Sequence, residues 1–72
     1  MITYLLVEET VITYGQEHLS YGVKVVRDRR CLRVIRDITD DKERLSCLIN
    51  DMNELSLDPI HLDEVIEEFL ND

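Results

Sequence analysis

Arginine is concentrated in one short segment, RDRRCLRVIRD at residues 27–37, which holds five of them in a 72-residue chain of formal net charge −8. Clustered arginines can bind an external polyanion such as nucleic acid, because neutralising phosphates releases counterions. They can also pair with acids of the same chain, which are abundant here: residues 1–38 carry a net +1 and residues 39–72 a net −9. An acidic overall field repels nucleic acid. We therefore expect Arg27 and Arg36 to pair with acids at the helix edges, and nucleic-acid binding through the arginine-rich strand pair is the alternative.

Histidine and cysteine supply few candidates for metal or nucleophilic chemistry. His61 is within helical reach of the carboxylates of Asp58 and Glu64, but a zinc site needs three or four ligands at suitable spacing. Cys31 lies among arginines, which favours a reactive thiolate, whereas Cys47 falls in a helical pattern and is expected to be semi-buried. The sequence predicts no metal and no cofactor. Whether His61 or Cys31 has a chemical role stays open.

Catalytic motifs are missing from the sequence. Glu8-Glu9 and Glu67-Glu68 are adjacent pairs, whose side chains diverge in a strand or in a helix and so form no acid/base dyad. The chain has no glycine-rich phosphate loop and no nucleophile elbow, and a chain of this length has little room for a deep cleft. The segment NELSLDPIHLDEVIEEFL has the outline of a helix-turn-helix, but its second helix has no Lys or Arg to meet phosphates. We predict a protein that is not an enzyme and takes no small-molecule substrate.

The two halves of the chain favour different secondary structure. The segments ITYLLVEETVITY, LSYGVKVV and CLRVI are rich in β-branched and aromatic residues and are separated by short connections, which predicts an antiparallel meander. Two later segments have apolar residues at helical spacing. Thr39 or Asp40 can cap the first helix, and Asp58 with Pro59 can begin the second. The helical stripes are Leu45, Leu48, Ile49, Met52 and Leu55, then Leu62, Val65, Ile66, Phe69 and Leu70.

These elements predict an α+β fold, a three-stranded antiparallel β-meander followed by a two-helix hairpin packed on one sheet face. We expect a single domain over residues 1–72, with the meander at 1–38 and the helical hairpin at 39–72. Such a small chain buries a thin core and gains from oligomerisation. The amino terminus has no cationic segment, its apolar run is too short to span a membrane, and nothing in the cysteine spacing indicates an oxidising compartment. We therefore expect a cytoplasmic protein without membrane contact.

Strand register decides which side chains the helices cover. A turn at Arg29-Arg30 would pair Val25 with Val34, and alternation would then gather apolar side chains on one face. Those side chains are Leu19, Tyr21, Val23, Val25, Leu32, Val34 and Ile38, with Arg27 and Arg36 along them. The opposite face would carry the candidate interface of Lys24, Val26, Arg33 and Ile35. Two-residue turns prefer Asn-Gly or Asp-Gly, so a longer loop remains open, and a one-residue slip would exchange the faces.

An apolar surface with basic residues is typical of protein interfaces. The sequence therefore predicts a small protein-binding or regulatory module. Its partner is another protein or a second copy of the chain, and the homodimer would form through the exposed sheet face or an edge strand.

Three segments carry a resemblance to a known family: SYGVKV, RDITDDKERLSCLINDMNEL and LSLDPIHLDEVIEEFL. Together they resemble a small uncharacterised family of low-GC Gram-positive, clostridial-type bacteria, a domain of unknown function. The likeness covers nearly the whole chain, and Asp58 stands where the family pattern has Ser, which keeps an N-cap. The family has no assigned activity, so the resemblance implies no substrate, cofactor or catalytic residue. It does mark the motif residues Asp37, His61, Glu67, Glu68 and Phe69 for testing.

Overall fold

The computed structural model describes residues 1–71 and confirms the predicted α+β architecture. Three antiparallel strands in the order β1-β2-β3 are followed by two helices. The strands are β1 (Ile2–Thr13), β2 (Gln16–Arg27) and β3 (Arg30–Thr39), and the helices are α1 (Lys42–Glu54) and α2 (Leu62–Leu70), the second preceded by a 3₁₀ turn at Pro59–His61. Neither helix in residues 1–71 has the length and hydropathy that a membrane crossing requires.

Two-residue turns join the strands. Tyr14 and Gly15 have φ of 52° and 76°, and Asp28 and Arg29 have φ of 48° and 71°. Positive φ at both central positions defines the turn whose twist matches that of the flanking strands. The predicted turn at Arg29-Arg30 is therefore wrong by one residue, because the short side chain of Asp28 tolerates the left-handed conformation.

A bulge at Leu32, and not the shifted turn, changes the faces of β3: Val26 pairs with Cys31 but Val25 pairs with Arg33, so Leu32 has no partner of its own. Val23 pairs with Ile35 and Val25 with Arg33, so Ile35 lies on the helix side and packs against the core. Val34 pairs with Lys24 on the opposite side. The prediction that Val34 faces the helices and Ile35 faces away is thus wrong, because the extra residue in β3 reverses the direction of the side chains that follow it.

A bulge in β3 closes over β2 at Gly22. Tyr21 pairs with Thr39 whereas Val23 pairs with Ile35, so residues 36–38 oppose Gly22 alone. A Cβ at Gly22 would collide with the backbone carbonyl of Ile35 and lie 3.0 Å from the Cα of the next residue. Under the bulge the buried Ser20 hydroxyl donates to the Asp37 carboxylate at 2.5 Å. This arrangement explains why glycine stands at this position of the strand.

Side-chain caps stand at the start of α1 and at the start of the 3₁₀ turn before α2. The carboxylate of Asp41 accepts from the backbone N–H of Arg44 at 3.1 Å, so the cap is neither Thr39 nor Asp40, the predicted residues. Asp58 accepts from the backbone N–H of Ile60 at 3.1 Å, with Pro59 at the first position as expected. Because Pro59 starts a 3₁₀ turn, the α-helical geometry begins only at Leu62.

The helices cover one face of the sheet and share a core with it. The core consists of Tyr4, Tyr21, Val23, Val25, Leu45, Ile49, Met52, Leu62, Ile66 and Phe69. The Tyr4 hydroxyl donates to the backbone carbonyl of Leu57 at 2.6 Å, which ties β1 to the connection between the helices. Four further residues predicted for the covered side are exposed: Leu19, Leu32, Leu55 and Leu70 are 48%, 50%, 78% and 57% exposed.

Candidate protein interface

The sheet has one face without helices, and we call it the uncovered face. In β1, alternation from the buried Tyr4 places Leu5 and Val7 on this face. The register carries the same side across the other strands, through the pairs Leu5–Lys24, Lys24–Val34 and Val26–Cys31. The uncovered face is therefore defined by Leu5, Val7, Lys24, Val26, Cys31 and Val34.

This face is apolar at its centre and shallow in shape. Leu5 is 44% exposed, and the valines are partly buried by their neighbours along the sheet. A depression of about 220 Å³ lies between β1 and β3, and Val7, Val34, Cys31 and Lys24 contribute to its walls. A surface of this form offers area for contact with a macromolecule but no enclosure for a small ligand.

The charged side chains on the uncovered face and at its edge are only partly compensated by opposite charges. The Arg36 guanidinium lies 3.7 Å from the carboxylate of Glu9 on β1. In contrast, the ammonium of Lys24 forms no ion pair or hydrogen bond within residues 1–71. The face therefore presents one uncompensated cation beside its apolar centre.

The four predicted interface residues separate onto two sides. Lys24 and Val26 lie on the uncovered face as expected. Arg33 and Ile35 do not: Ile35 packs against the core, and the Arg33 guanidinium donates to the Asp63 carboxylate of α2 at 2.7 Å. Their predicted placement is wrong because the β2–β3 register differs from the one assumed. The role of Lys24 and Val26 in an interface stays a prediction.

The arginine segment pairs with the chain's own acids, but not in the predicted way. Arg33, rather than Arg27, meets an acid of a helix, and Arg36 meets an acid of β1. The hydrogen bond from Arg33 and its positive charge lower the pKa of Asp63 and, reciprocally, raise that of Arg33. Arg27 lies on the helix side, at an open groove lined in part by Leu57.

The other chemical candidates remain apart from one another. His61 Nδ1 is 4.0 Å from a carboxylate oxygen of Glu64, and both side chains are exposed. Cys31 Sγ is 3.8 Å from the carbonyl oxygen of Arg33, and Cys47 is exposed, which corrects its predicted semi-buried position. No group of three or more His, Cys, Asp or Glu side chains that could hold a metal occurs in the part of the chain that the structure describes.

Two residues marked by the family pattern, Phe69 and Asp37, stabilise the fold. Phe69 belongs to the core, and the Arg44 guanidinium lies 4.2 Å from the centre of its ring. Asp37 holds the β3 bulge through Ser20. Glu67 and Glu68 are exposed on α2.

Three residues of the uncovered face were not predicted from the sequence: Leu5, Val7 and Val34. The alternation of Leu5 and Val7 with the buried Tyr4 was a usable signal for β1. Val34 could not be placed without knowledge of the bulge at Leu32, which leaves no pattern in the sequence.

An all-antiparallel sheet backed by two helices, with one bare apolar face, defines a class of small α+β proteins. Within this class, the chain belongs to a family of unknown function. The model of that family, DUF6514, matches residues 1–72, which confirms the resemblance to an uncharacterised family. Neither the search of curated proteins nor the search of solved structures found a match.

Proposed function

We propose that this protein is a small, non-catalytic, cytoplasmic module that regulates or recruits a protein partner through its uncovered face. One observation carries the proposal: the face that the helices leave bare combines Leu5, Val7, Val26 and Val34 with the uncompensated ammonium of Lys24. Burying apolar surface contributes about 25 cal/mol per Å². A partner that covers this face therefore gains binding free energy by removing these apolar side chains from water.

Lys24 indicates the chemistry of the partner. It is partly buried and lies between Leu5 on β1 and Val34 on β3. Burying a charge in an interface is costly unless it meets an opposite charge. The partner that fits is thus a protein with an apolar patch and an Asp or Glu placed against Lys24.

Nucleic acid is a weaker alternative for the same region. Arg33 is engaged by Asp63 and Arg36 by Glu9, so two cations of the segment are already compensated. The residues that define the uncovered face include no aromatic side chain, since Tyr4 and Tyr21 are on the helix side and Tyr14 is in the β1–β2 turn. Base stacking is a main source of affinity for single strands. Titration with single-stranded RNA at low salt tests this alternative, and we expect no binding.

Affinity capture with paired variants tests the proposal. Leu5→Glu introduces a charge on the apolar part of the uncovered face, next to Lys24. Ile60→Glu is the matched control, because Ile60 is 77% exposed and lies on the helical side. We expect proteins from the native cell to be retained by wild type and by Ile60→Glu, and to be lost with Leu5→Glu. If every protein captured by wild type is also captured by Leu5→Glu, the proposal is wrong.

A further inference from the structure

We infer that the second half of β1 is an interface for a second copy of this chain, in which residues 7–13 of the two copies pair as antiparallel strands. The resulting dimer has one continuous six-stranded sheet. This inference is independent of the proposed function, because it concerns the edge of the sheet rather than its uncovered face.

Asn53 shows which backbone groups of β1 point outward. Its side-chain oxygen accepts from the Tyr4 N–H at 2.8 Å, and its amide donates to the Tyr4 carbonyl at 2.9 Å. Tyr4 is therefore an edge position, and the period of two makes Leu6, Glu8, Thr10 and Ile12 edge positions as well. Within residues 1–71, no hydrogen bond outside the sheet reaches the backbone of these later positions. The open part of the edge thus begins just after the residue that Asn53 covers.

The other edge of the sheet is protected against pairing. In β3 the bulge at residues 36–38 interrupts the ladder, and Arg33 is drawn to α2 by Asp63. Bulges and charged side chains are the usual devices that prevent one sheet edge from pairing with another. Residues 6–13 have no bulge, lysine, arginine or proline, and their two charged side chains, Glu8 and Glu9, are adjacent near the start of the stretch. Only this stretch of the described sheet therefore offers a long and regular edge.

A further observation is that this part of the sheet has only two strands. β3 pairs with β2 no further than Tyr21, and side chains of β3 still contact Glu9 and Ser20, so residues 10–13 and 16–19 form a hairpin arm beyond the third strand. Ile12 and Leu19 of the arm are 68% and 48% exposed on its helix-side face. Because a two-stranded hairpin is at best marginally stable in water, a third strand from a second copy would stabilise the arm.

Charge selects the register of the pairing. Edge positions must face edge positions, so even-numbered residues pair with even-numbered residues. A two-fold axis at Glu8 or Glu9 would place that carboxylate opposite its own copy, which is destabilising. An axis at Thr10 places Thr10 opposite Thr10, Glu8 opposite Ile12 and Glu9 opposite Val11. It is the longest overlap that opposes no two acids, and it puts the exposed Ile12 beside the other copy's Leu6.

Sedimentation with two variants at one position tests the inference. Thr10→Pro removes an outward N–H while leaving the β1–β2 ladder intact, since proline is tolerated at the outer side of an edge strand. Thr10→Ala is the matched control that keeps the N–H. We expect wild type and Thr10→Ala to form dimers at high micromolar concentration, and Thr10→Pro to weaken dimerisation by about tenfold or more through lost backbone hydrogen bonds. A monomeric wild type, or a dimer as strong in Thr10→Pro as in Thr10→Ala, would overturn the inference.

Cysteine cross-linking tests the register without relying on the proline variant. In a background with Cys31 and Cys47 replaced by serine, Thr10→Cys places two thiols on the axis, where Cα atoms of a hydrogen-bonded pair lie about 5.5 Å apart, within disulfide range. Ile12→Cys is the control, because the two Ile12 residues are separated by about 13 Å along the strands. We expect a disulfide-linked dimer from Thr10→Cys alone. Equal cross-linking of both variants, or of neither, contradicts this register.

A dimer that Leu5→Glu abolishes and Thr10→Pro spares would instead place the contact on the uncovered face.

Discussion

Replacing Asn53 with alanine should lower the free energy of unfolding by more than a substitution at an exposed position usually does. The amide of Asn53 makes two hydrogen bonds, of 2.8 and 2.9 Å, with the backbone of Tyr4, and both are partly buried. Each contributes about 1 kcal/mol net, and alanine returns about 0.5 kcal/mol through its higher helix propensity. The expected loss is about 1.5 kcal/mol. For a domain of this size, that loss lowers Tm by about 6–12 °C.

Urea denaturation followed by circular dichroism measures this loss, and Asn50→Ala is its matched control. Asn50 is on the same helix, and its amide reaches only the Glu54 carboxylate at 3.4 Å on an exposed surface. We expect Asn50→Ala to be as stable as wild type or slightly more stable, because only helix propensity changes there. Equal midpoints for Asn50→Ala and Asn53→Ala would refute the role assigned to the Asn53 amide.

The same position gives a pH-dependent version of the test. In Asn53→Asp, one carboxylate oxygen can still accept from the Tyr4 N–H, but the other meets the Tyr4 carbonyl oxygen and cannot donate when ionised. Protonation restores a donor, so the folded state raises the pKa of the new carboxyl. Its contribution to stability is therefore fully present below the usual Asp pKa of about 3.9 and is lost as the pH rises. We expect the stability difference between this variant and wild type to be smaller at acid pH than at neutral pH, and a difference that does not depend on pH would contradict the argument.

Three further changes test the packing of the sheet. Gly22→Ala should cost about 1–3 kcal/mol in urea denaturation, because its Cβ meets the backbone of the β3 bulge. Tyr4→Phe should cost about 1 kcal/mol at neutral pH through its lost hydrogen bond. Burial, with the charge of Asp58 adding to it, raises the Tyr4 pKa, so this difference should shrink as the pH rises above about 10, where the wild type loses its advantage. Arg33→Gln should lower stability slightly at neutral pH, and the difference should vanish as acid protonates Asp63, whose pKa Arg33 lowers. A difference that persists in acid would contradict the ion pair.

The sequence was sufficient for the order and type of the elements because periodicity is a local property. Alternation in the first half and three-and-four spacing in the second half depend only on neighbouring residues. The strands and helices that they predict are present in the structure. The start of the second helical segment was also predictable, since Asp58 and Pro59 act on its first turn alone, although that turn is 3₁₀ and α2 begins only at Leu62. The one-residue error at the β2–β3 turn came from the same local reasoning. Asp28-Arg29 and Arg29-Arg30 both lack the glycine that usually marks the turn.

The candidate site was only half predictable, because faces depend on register and register depends on distant contacts. The bulge opposite Gly22 adds residues to β3 that no alternation pattern anticipates. Its reason is tertiary: Ser20 and Asp37 bond across the strands only once the sheet exists. The cover that Asn53 provides on β1 is equally hidden in the sequence, since residues 49 positions apart in the chain make it. Contacts of this kind form only when distant segments pack together, so the sequence pattern does not predict them.

The two proposed surfaces reinforce each other through symmetry. When identical strands pair antiparallel at an axis through Thr10, the two-fold axis is perpendicular to the sheet, so both helical hairpins lie on one side and both uncovered faces on the other. Each copy then contributes its own Lys24 and Val26 to one side of a six-stranded sheet. A partner with two binding segments would gain avidity from that arrangement, because its second contact becomes intramolecular. Thr10→Pro should consequently weaken capture of such a partner while leaving the face of each copy unchanged, whereas Leu5→Glu should abolish capture and leave the dimer in place.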